Sequence, residues 1–90
     1  MMNTLVGWHI ELEFDEVDAR TRAAAMVRLA DGTELRGHGY TSRHPRDAAQ
    51  PRVGEEIAAA RALEDLAKQL FEKAHTEIDT ASGMRTYPLM

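Results

Sequence analysis

The chain has 90 residues, a net charge of -4 and no cysteine, and 43% of its residues are hydrophobic and 29% charged. These values fit one small folded domain and exclude a disordered chain, disulfide bonds, thiol catalysis and cysteine metal sites. Because the first residues lack a secretory signal pattern and no segment has membrane-spanning length, we expect a cytoplasmic protein without membrane contact.

Three successive segments alternate apolar and polar residues, as expected for strands that bury one face of a sheet. They predict strands over about residues 7–15, 21–29 and 33–41. The residues predicted to share the buried face are Trp8, Ile10, Leu12, Phe14, Ala23, Ala25, Val27, Leu29, Leu35, Gly37 and Gly39.

The turns between these strands predict how they pair. The first hairpin is expected to place Leu12 opposite Ala23 and Glu13 opposite Arg22, so that unlike charges face each other on the outer surface. The second turn ends at Gly32, which tolerates the left-handed conformation of a three-residue loop. The opposed pairs predicted for the second hairpin are Leu29 with Thr33, Val27 with Leu35, and Arg28 with Glu34.

A long helix is predicted over about residues 54–80, after a loop at 42–53 and before a tail at 83–90. Alanine-rich sequence favours a helix, and Glu55 and Glu56 suit the positive end of its dipole. The larger apolar residues at helical spacing are Ile57, Leu63, Leu66, Leu70 and Ile78.

Small residues in the middle of the buried face predict how the helix packs. Gly37 and Gly39 lie in line with Ala23 and Ala25, so the helix is expected to approach the sheet closely. The residues expected to fill the margins of this core are Trp8, Phe14, Leu29, Leu35, Leu66, Leu70 and Phe71. The prediction is an α+β fold in one domain over residues 1–90, with a three-stranded antiparallel sheet (β-β-β-α) and one long C-terminal helix on one face.

No arrangement of residues is typical of a catalytic or metal site. The four histidines lack the spacing of metal ligands, and Glu11 and Glu13 lie on a flat outer face where nothing desolvates a carboxyl group. We therefore predict no catalytic residue, no metal or cofactor ligand and no enzymatic activity.

Basic residues concentrate around the third strand and the loop after it. They are Arg36, Arg43, His44, Arg46 and Arg52. One interpretation is a contact for an anion or a nucleic acid; the other is a solvated loop whose arginines pair with glutamates at the start of the helix.

Several short segments and the start of the predicted helix form a pattern that extends over about residues 8–78. The segments are Trp8-His9-Ile10-Glu11, Thr21-Arg22-Ala23, Gly37-His38-Gly39 and Pro45-Arg46-Asp47, and residues 53–67 are the most specific part. With this pattern the chain resembles a family of small actinobacterial proteins of unknown function that are described as having the fold of a double-stranded-RNA-binding domain. The resemblance implies three antiparallel strands with a packed helix, and it brings no activity, substrate or catalytic residue.

The residues argue against the RNA binding that this fold suggests. RNA-binding domains of that type begin their last helix with a lysine cluster, whereas Glu55 and Glu56 lie there in this chain. Their first hairpin loop carries a Gly-Pro-x-His pattern that is absent here, and too few residues precede Trp8 for their first helix. We therefore expect a non-enzymatic interaction or regulatory module that binds an unknown protein or itself as a homodimer, with RNA binding through residues 43–52 as the alternative.

Overall fold

The computed structural model describes residues 4–42 and 51–82, which form a sheet and a helix. The strands are β1 (Ile10–Val17), β2 (Arg20–Arg28) and β3 (Glu34–Ser42), and the helix is α1 (Pro51–Ser82). The sheet is antiparallel with the order β1-β2-β3, and α1 packs on one face of it. The predicted α+β architecture is confirmed, while the tail at 83–90 and most of the predicted loop at 42–53 lie outside the described residues.

The first hairpin is shifted by two residues from its predicted register. Leu12 pairs with Ala25, and Glu13 pairs with Ala24. The predicted pairs, Leu12 with Ala23 and Glu13 with Arg22, are therefore wrong. A shift of two keeps each side chain on its predicted face of the sheet, because side chains alternate with a period of two residues.

The turn explains this shift. Val17 pairs with Arg20, so the turn has two residues and begins at Asp18. Asp18 has a positive φ of 55°, a conformation that aspartate tolerates and that is strongly disfavoured for a β-branched residue such as Val17. As a result Arg22 forms its cross-strand ion pair with Asp15, at 2.8 Å.

The second hairpin has the predicted turn. The N–H of Leu29 donates to the carbonyl oxygen of Thr33 at 2.8 Å, and the N–H of Gly32 donates to the carbonyl oxygen of Leu29 at 2.9 Å. Gly32 has a φ of 89°, and Asp31 Oδ1 accepts a hydrogen bond from the N–H of Thr33. The predicted pairs Val27 with Leu35 and Arg28 with Glu34 are confirmed.

The core lies where α1 crosses β2 and β3. Its buried apolar residues are Ala23, Ala25, Val27, Ala58, Ala62 and Leu66. The helix approaches the backbone of β3 closely, because a Cβ added at Gly37 would lie 2.5 Å from the backbone nitrogen of Leu66. A Cβ added at Gly39 would lie 2.7 Å from the Cβ of Arg61. The small inner face therefore positions the helix as predicted.

The helix begins three residues earlier than predicted. Pro51 is its first residue, as suits a residue without a backbone N–H, so Glu55 and Glu56 lie in the second turn instead of at the N-terminal end. Its 32 residues span about 48 Å, against roughly 30 Å for a nine-residue strand. Within the described ranges, no helix combines the length and the apolarity needed to cross a membrane.

Candidate interaction groove

The helix leaves the inner face of β1 uncovered. A helix about 10 Å wide covers two strands spaced about 4.8 Å apart, and α1 covers β2 and β3. Trp8, Ile10, Leu12 and Phe14 point to the same side of the sheet as the core but are 55%, 42%, 38% and 41% exposed. The expectation that Trp8, Phe14 and Phe71 fill the margins of the core is therefore wrong. Trp8 and Phe14 lie beyond the two strands that the helix covers, and Phe71 is 69% exposed on the helix.

On the opposite side, hydrogen bonds join α1 to the outer edge of β3. They run from Arg61 Nη1 to the carbonyl oxygen of Tyr40 at 2.6 Å, from the N–H of His38 to Asp65 Oδ2 at 2.8 Å, and from Gln69 Nε2 to the carbonyl oxygen of Arg36 at 2.5 Å. The bond from His38 lowers the pKa of Asp65. Since α1 closes this edge, β1 is the open edge strand of the described sheet.

An apolar stripe runs along α1 from the side that faces β1 to the side turned away from the sheet. At about 100° per residue, these side chains project away from the polar row that binds β3. We name them the apolar flank: Ala59, Leu63, Ala67, Leu70, Phe71, Ala74 and Ile78. Leu63, Phe71 and Ile78 are 39%, 69% and 58% exposed, so much of the flank faces solvent.

The apolar flank and the inner face of β1 are the two walls of one groove, named here the β1 groove. Its β1 wall consists of Ile10, Leu12 and Phe14 of the strand and of Trp8, which lies just before the strand. Near Trp8 the groove opens into a cavity of about 670 Å³ that is also lined by Leu29, Leu70 and Phe71. At this end the groove is therefore a mainly apolar cavity between the start of β1 and the helix.

Charged residues form the rim at the Trp8 end of the groove. Lys73 Nζ donates to Asp31 Oδ2 at 2.9 Å and also contacts Glu77, and these two carboxylates raise the pKa of Lys73. The hydrogen bond from Lys73, with others from Thr33, holds the pKa of Asp31 well below its usual range. The bond between Lys73 and Asp31 connects the β2–β3 turn to α1 beside this end of the groove.

Two carboxyl groups lie at the other end of the groove. Glu16 is on the inner face of β1, and its pKa is raised by a side-chain hydrogen bond with Glu55 of α1 and by the negative charge of that residue. Glu16 is exposed, so no enclosed cleft holds this pair as a general acid would require.

Two residues of the predicted basic contact, Arg36 and Arg52, lie within the described residues, and the structure does not bring them together. Arg36 is exposed on the outer face of β3, in a shallow depression shared with Glu11 and Glu13. Arg52 lies in the first turn of α1, on the other face of the sheet. This turn is near the C-terminal end of β3, which is roughly 16 Å from Arg36 along the strand. Because Arg43, His44 and Arg46 are outside the described residues, this contact stays a prediction.

No metal site is visible in the part of the chain that the structure describes. There, no three histidine, aspartate or glutamate side chains come close enough together to hold an ion. The β1 groove is lined mainly by apolar side chains, so its chemistry is that of apolar binding.

Comparisons with known proteins place the chain among mycobacterial relatives. The uncharacterized protein Rv2632c of Mycobacterium tuberculosis is 38% identical over 73 residues, which cover 81% of this chain and 77% of the relative. The uncharacterized protein MT1780 of the same species is 32% identical over 80 residues, which cover 89% of this chain and 84% of the relative. None of these names assigns an enzymatic activity.

The crystal structure of Rv2632c has the same fold. It aligns with a TM-score of 0.84 and 34% sequence identity over 91% of this chain and 96% of that one. The likeness to double-stranded-RNA-binding domains stays a prediction. The Rv2632c-like family model matches residues 6–86, which confirms the predicted family of small actinobacterial proteins. The chain therefore belongs to the Rv2632c-like family.

Proposed function

We propose that this protein is a non-enzymatic interaction module that binds an apolar segment of a protein partner through the β1 groove. The observation that carries this proposal is the inner face of β1, whose four large apolar residues are each more than a third exposed. Contiguous exposed apolar surface of this kind marks binding sites on proteins.

The composition of the groove supports binding. Aromatic residues contribute most to the affinity of protein interfaces, and Trp8, Phe14 and Phe71 supply three of them. Lys73 and Glu77 form a polar rim beside the apolar centre, as is usual for protein interfaces. As part of the same proposal the module is cytoplasmic, which suits a chain whose stability depends on no disulfide.

Site-specific photo-crosslinking in the protein's own host cell tests the proposal. A photoreactive amino acid in place of Phe71 is expected to give discrete covalent adducts, and these should disappear when Leu12→Glu is added, because the carboxylate disrupts the apolar wall. The control places the same photoreactive residue at Tyr40, which is exposed on the outer face of the sheet. Equal adducts from both positions, or none from position 71, would contradict the proposed function.

A further inference from the structure

We infer that the occupant of the β1 groove is helix α1 of a second copy of this chain, in a two-fold symmetric dimer. The inference rests on the proposed function, because it names the partner that the groove binds. In this dimer the β1 wall of each copy packs against the apolar flank of the other copy's α1. Every contact then occurs twice, as in all isologous interfaces.

The groove has the width of one helix. Packed helices lie 8–10 Å apart, and neighbouring strands lie about 4.8 Å apart. Since α1 packs on β2 and β3, β1 lies about 7 Å to the side of its axis. A second helix packed beside α1 therefore lies directly over β1, where it covers the exposed wall of the groove.

The helix has apolar side chains that its own sheet does not cover and that a second sheet could contact. Ala58, Ala62 and Leu66 face its own sheet and are buried. Phe71 and Ile78 project to the side of α1 that is turned away from that sheet, and Leu63 projects sideways toward the groove. One helix can thus pack on its own sheet, on a neighbouring helix and on the β1 wall of a second copy.

The exposed area fits a stable dimer. Between 38% and 69% of each large apolar residue on this surface is exposed; the residues are Trp8, Ile10, Leu12, Phe14, Leu63, Phe71 and Ile78. With roughly 150–250 Å² for each large side chain, they amount to about 700 Å² of surface on one copy. Two copies would bury about 1,400 Å², within the range of about 1,200–2,000 Å² for specific interfaces.

Charges on β1 favour this docking over pairing of two sheet edges. In an antiparallel pair of β1 strands centred on Leu12, Glu11 of one copy would lie opposite Glu13 of the other, and like charges in that position are destabilising. When the helix docks on the inner face, both carboxylates remain in water on the outer face. The open edge of β1 therefore stays unpaired in the inferred dimer.

Sedimentation of the full chain over a range of concentrations tests this inference. The wild-type protein is expected to associate to the mass of two chains with a Kd in the micromolar range or below. Phe71→Glu is expected to weaken this association at least about 30-fold, because it places a charge at an aromatic contact. Tyr40→Gln, a change at an exposed aromatic residue outside the groove, should leave the Kd unchanged. Far-UV circular dichroism of each variant verifies that α1 is intact.

A second measurement uses the absence of natural cysteine. A protein with Leu12→Cys, mixed with a separate protein carrying Phe71→Cys, should be joined by a short bismaleimide into a two-chain product. The Tyr40→Cys protein should give none with either. This measurement remains decisive if Phe71→Glu perturbs the fold.

A monomeric mass at all concentrations, or a dimer that Phe71→Glu leaves unchanged, would overturn the inference. If the monomer still gave adducts from position 71 with another protein, the proposed function would stand with a different partner. If the monomer gave no such adducts, both would be refuted. A monomer whose single tryptophan, Trp8, is shielded from a soluble quencher would identify an occupant within the same chain.

Discussion

The substitution Gly37→Ala tests how closely the helix lies on the sheet. A Cβ at this position would overlap the carbonyl oxygen of Ala62 and lie 2.5 Å from the backbone nitrogen of Leu66, whereas ordinary contacts begin at 3.4 Å. Both neighbours are backbone atoms of α1, so no side chain can rotate to make room. The helix must withdraw by about 1 Å along this part of the sheet.

This displacement sets the size of the effect. A radial gap of 0.5–1 Å forfeits about a quarter to a half of the dispersion energy of the contacts it opens, and overpacking typically costs about 1–3 kcal/mol. Replacing glycine also reduces the entropy of the unfolded chain, which returns about 0.4–1 kcal/mol. We expect a net loss of about 0.5–2.5 kcal/mol in the free energy of unfolding, equivalent to a Tm lower by roughly 2–20 °C.

Urea unfolding followed by circular dichroism at one fixed protein concentration measures this difference. Gly7→Ala is the matched control, because nothing lies within 4 Å of a Cβ added at Gly7 and its backbone has no positive φ. Equal free energies of unfolding for the two variants would refute the close approach of α1 to β3.

Three further substitutions test the core and the ionisable groups. Leu66→Ala should lower the free energy of unfolding by about 2–5 kcal/mol, whereas Leu63→Ala, at a side chain 39% exposed, should cost clearly less in the same urea titration. The lowered pKa of Asp65 adds stability above its ordinary pKa of 3.8, and this is lost as the pH falls through the folded value. Asp65→Asn should therefore flatten the acid side of a Tm profile, and an unchanged profile would contradict the bond from His38. The raised pKa of Glu16 affects stability in the opposite direction, because its contribution to stability is present below pH 4.5 and is lost as the pH rises through the folded pKa. Glu16→Gln should therefore raise Tm at neutral pH and bring no gain in acid.

The alternation of the strands and the small inner face could be predicted from sequence because each is a local pattern. Gly32 indicated its turn correctly, since a positive φ favours glycine. The first turn was harder to locate because neither of its residues is glycine. Asp18 takes the positive φ there, and the same pattern of inward and outward side chains fits registers that differ by two residues.

The groove could not be read from alternation, because an inward-facing residue is buried only if something covers it. Trp8 and Phe14 have the same parity as Ala25, yet Ala25 is buried and the two aromatic residues are not. The sequence could have predicted an uncovered strand from widths alone, because one helix covers about two strands and the sequence predicts three strands with one helix. Which strand remains uncovered depends on the polar row of α1, where Asp65 and its neighbours bind β3.

The closed edge of β3 also limits how large an assembly of this protein can grow by adding strands. Fibrils extend when each added chain offers a fresh unpaired edge to the next. Here three backbone groups on the outer edge of β3, the N–H of His38 and the carbonyl oxygens of Arg36 and Tyr40, are already bound by α1, so β1 is the more accessible edge for strand addition. One added chain would consume that edge and leave none to continue. The side chains that hold the helix in place therefore also act as a stop against polymerisation.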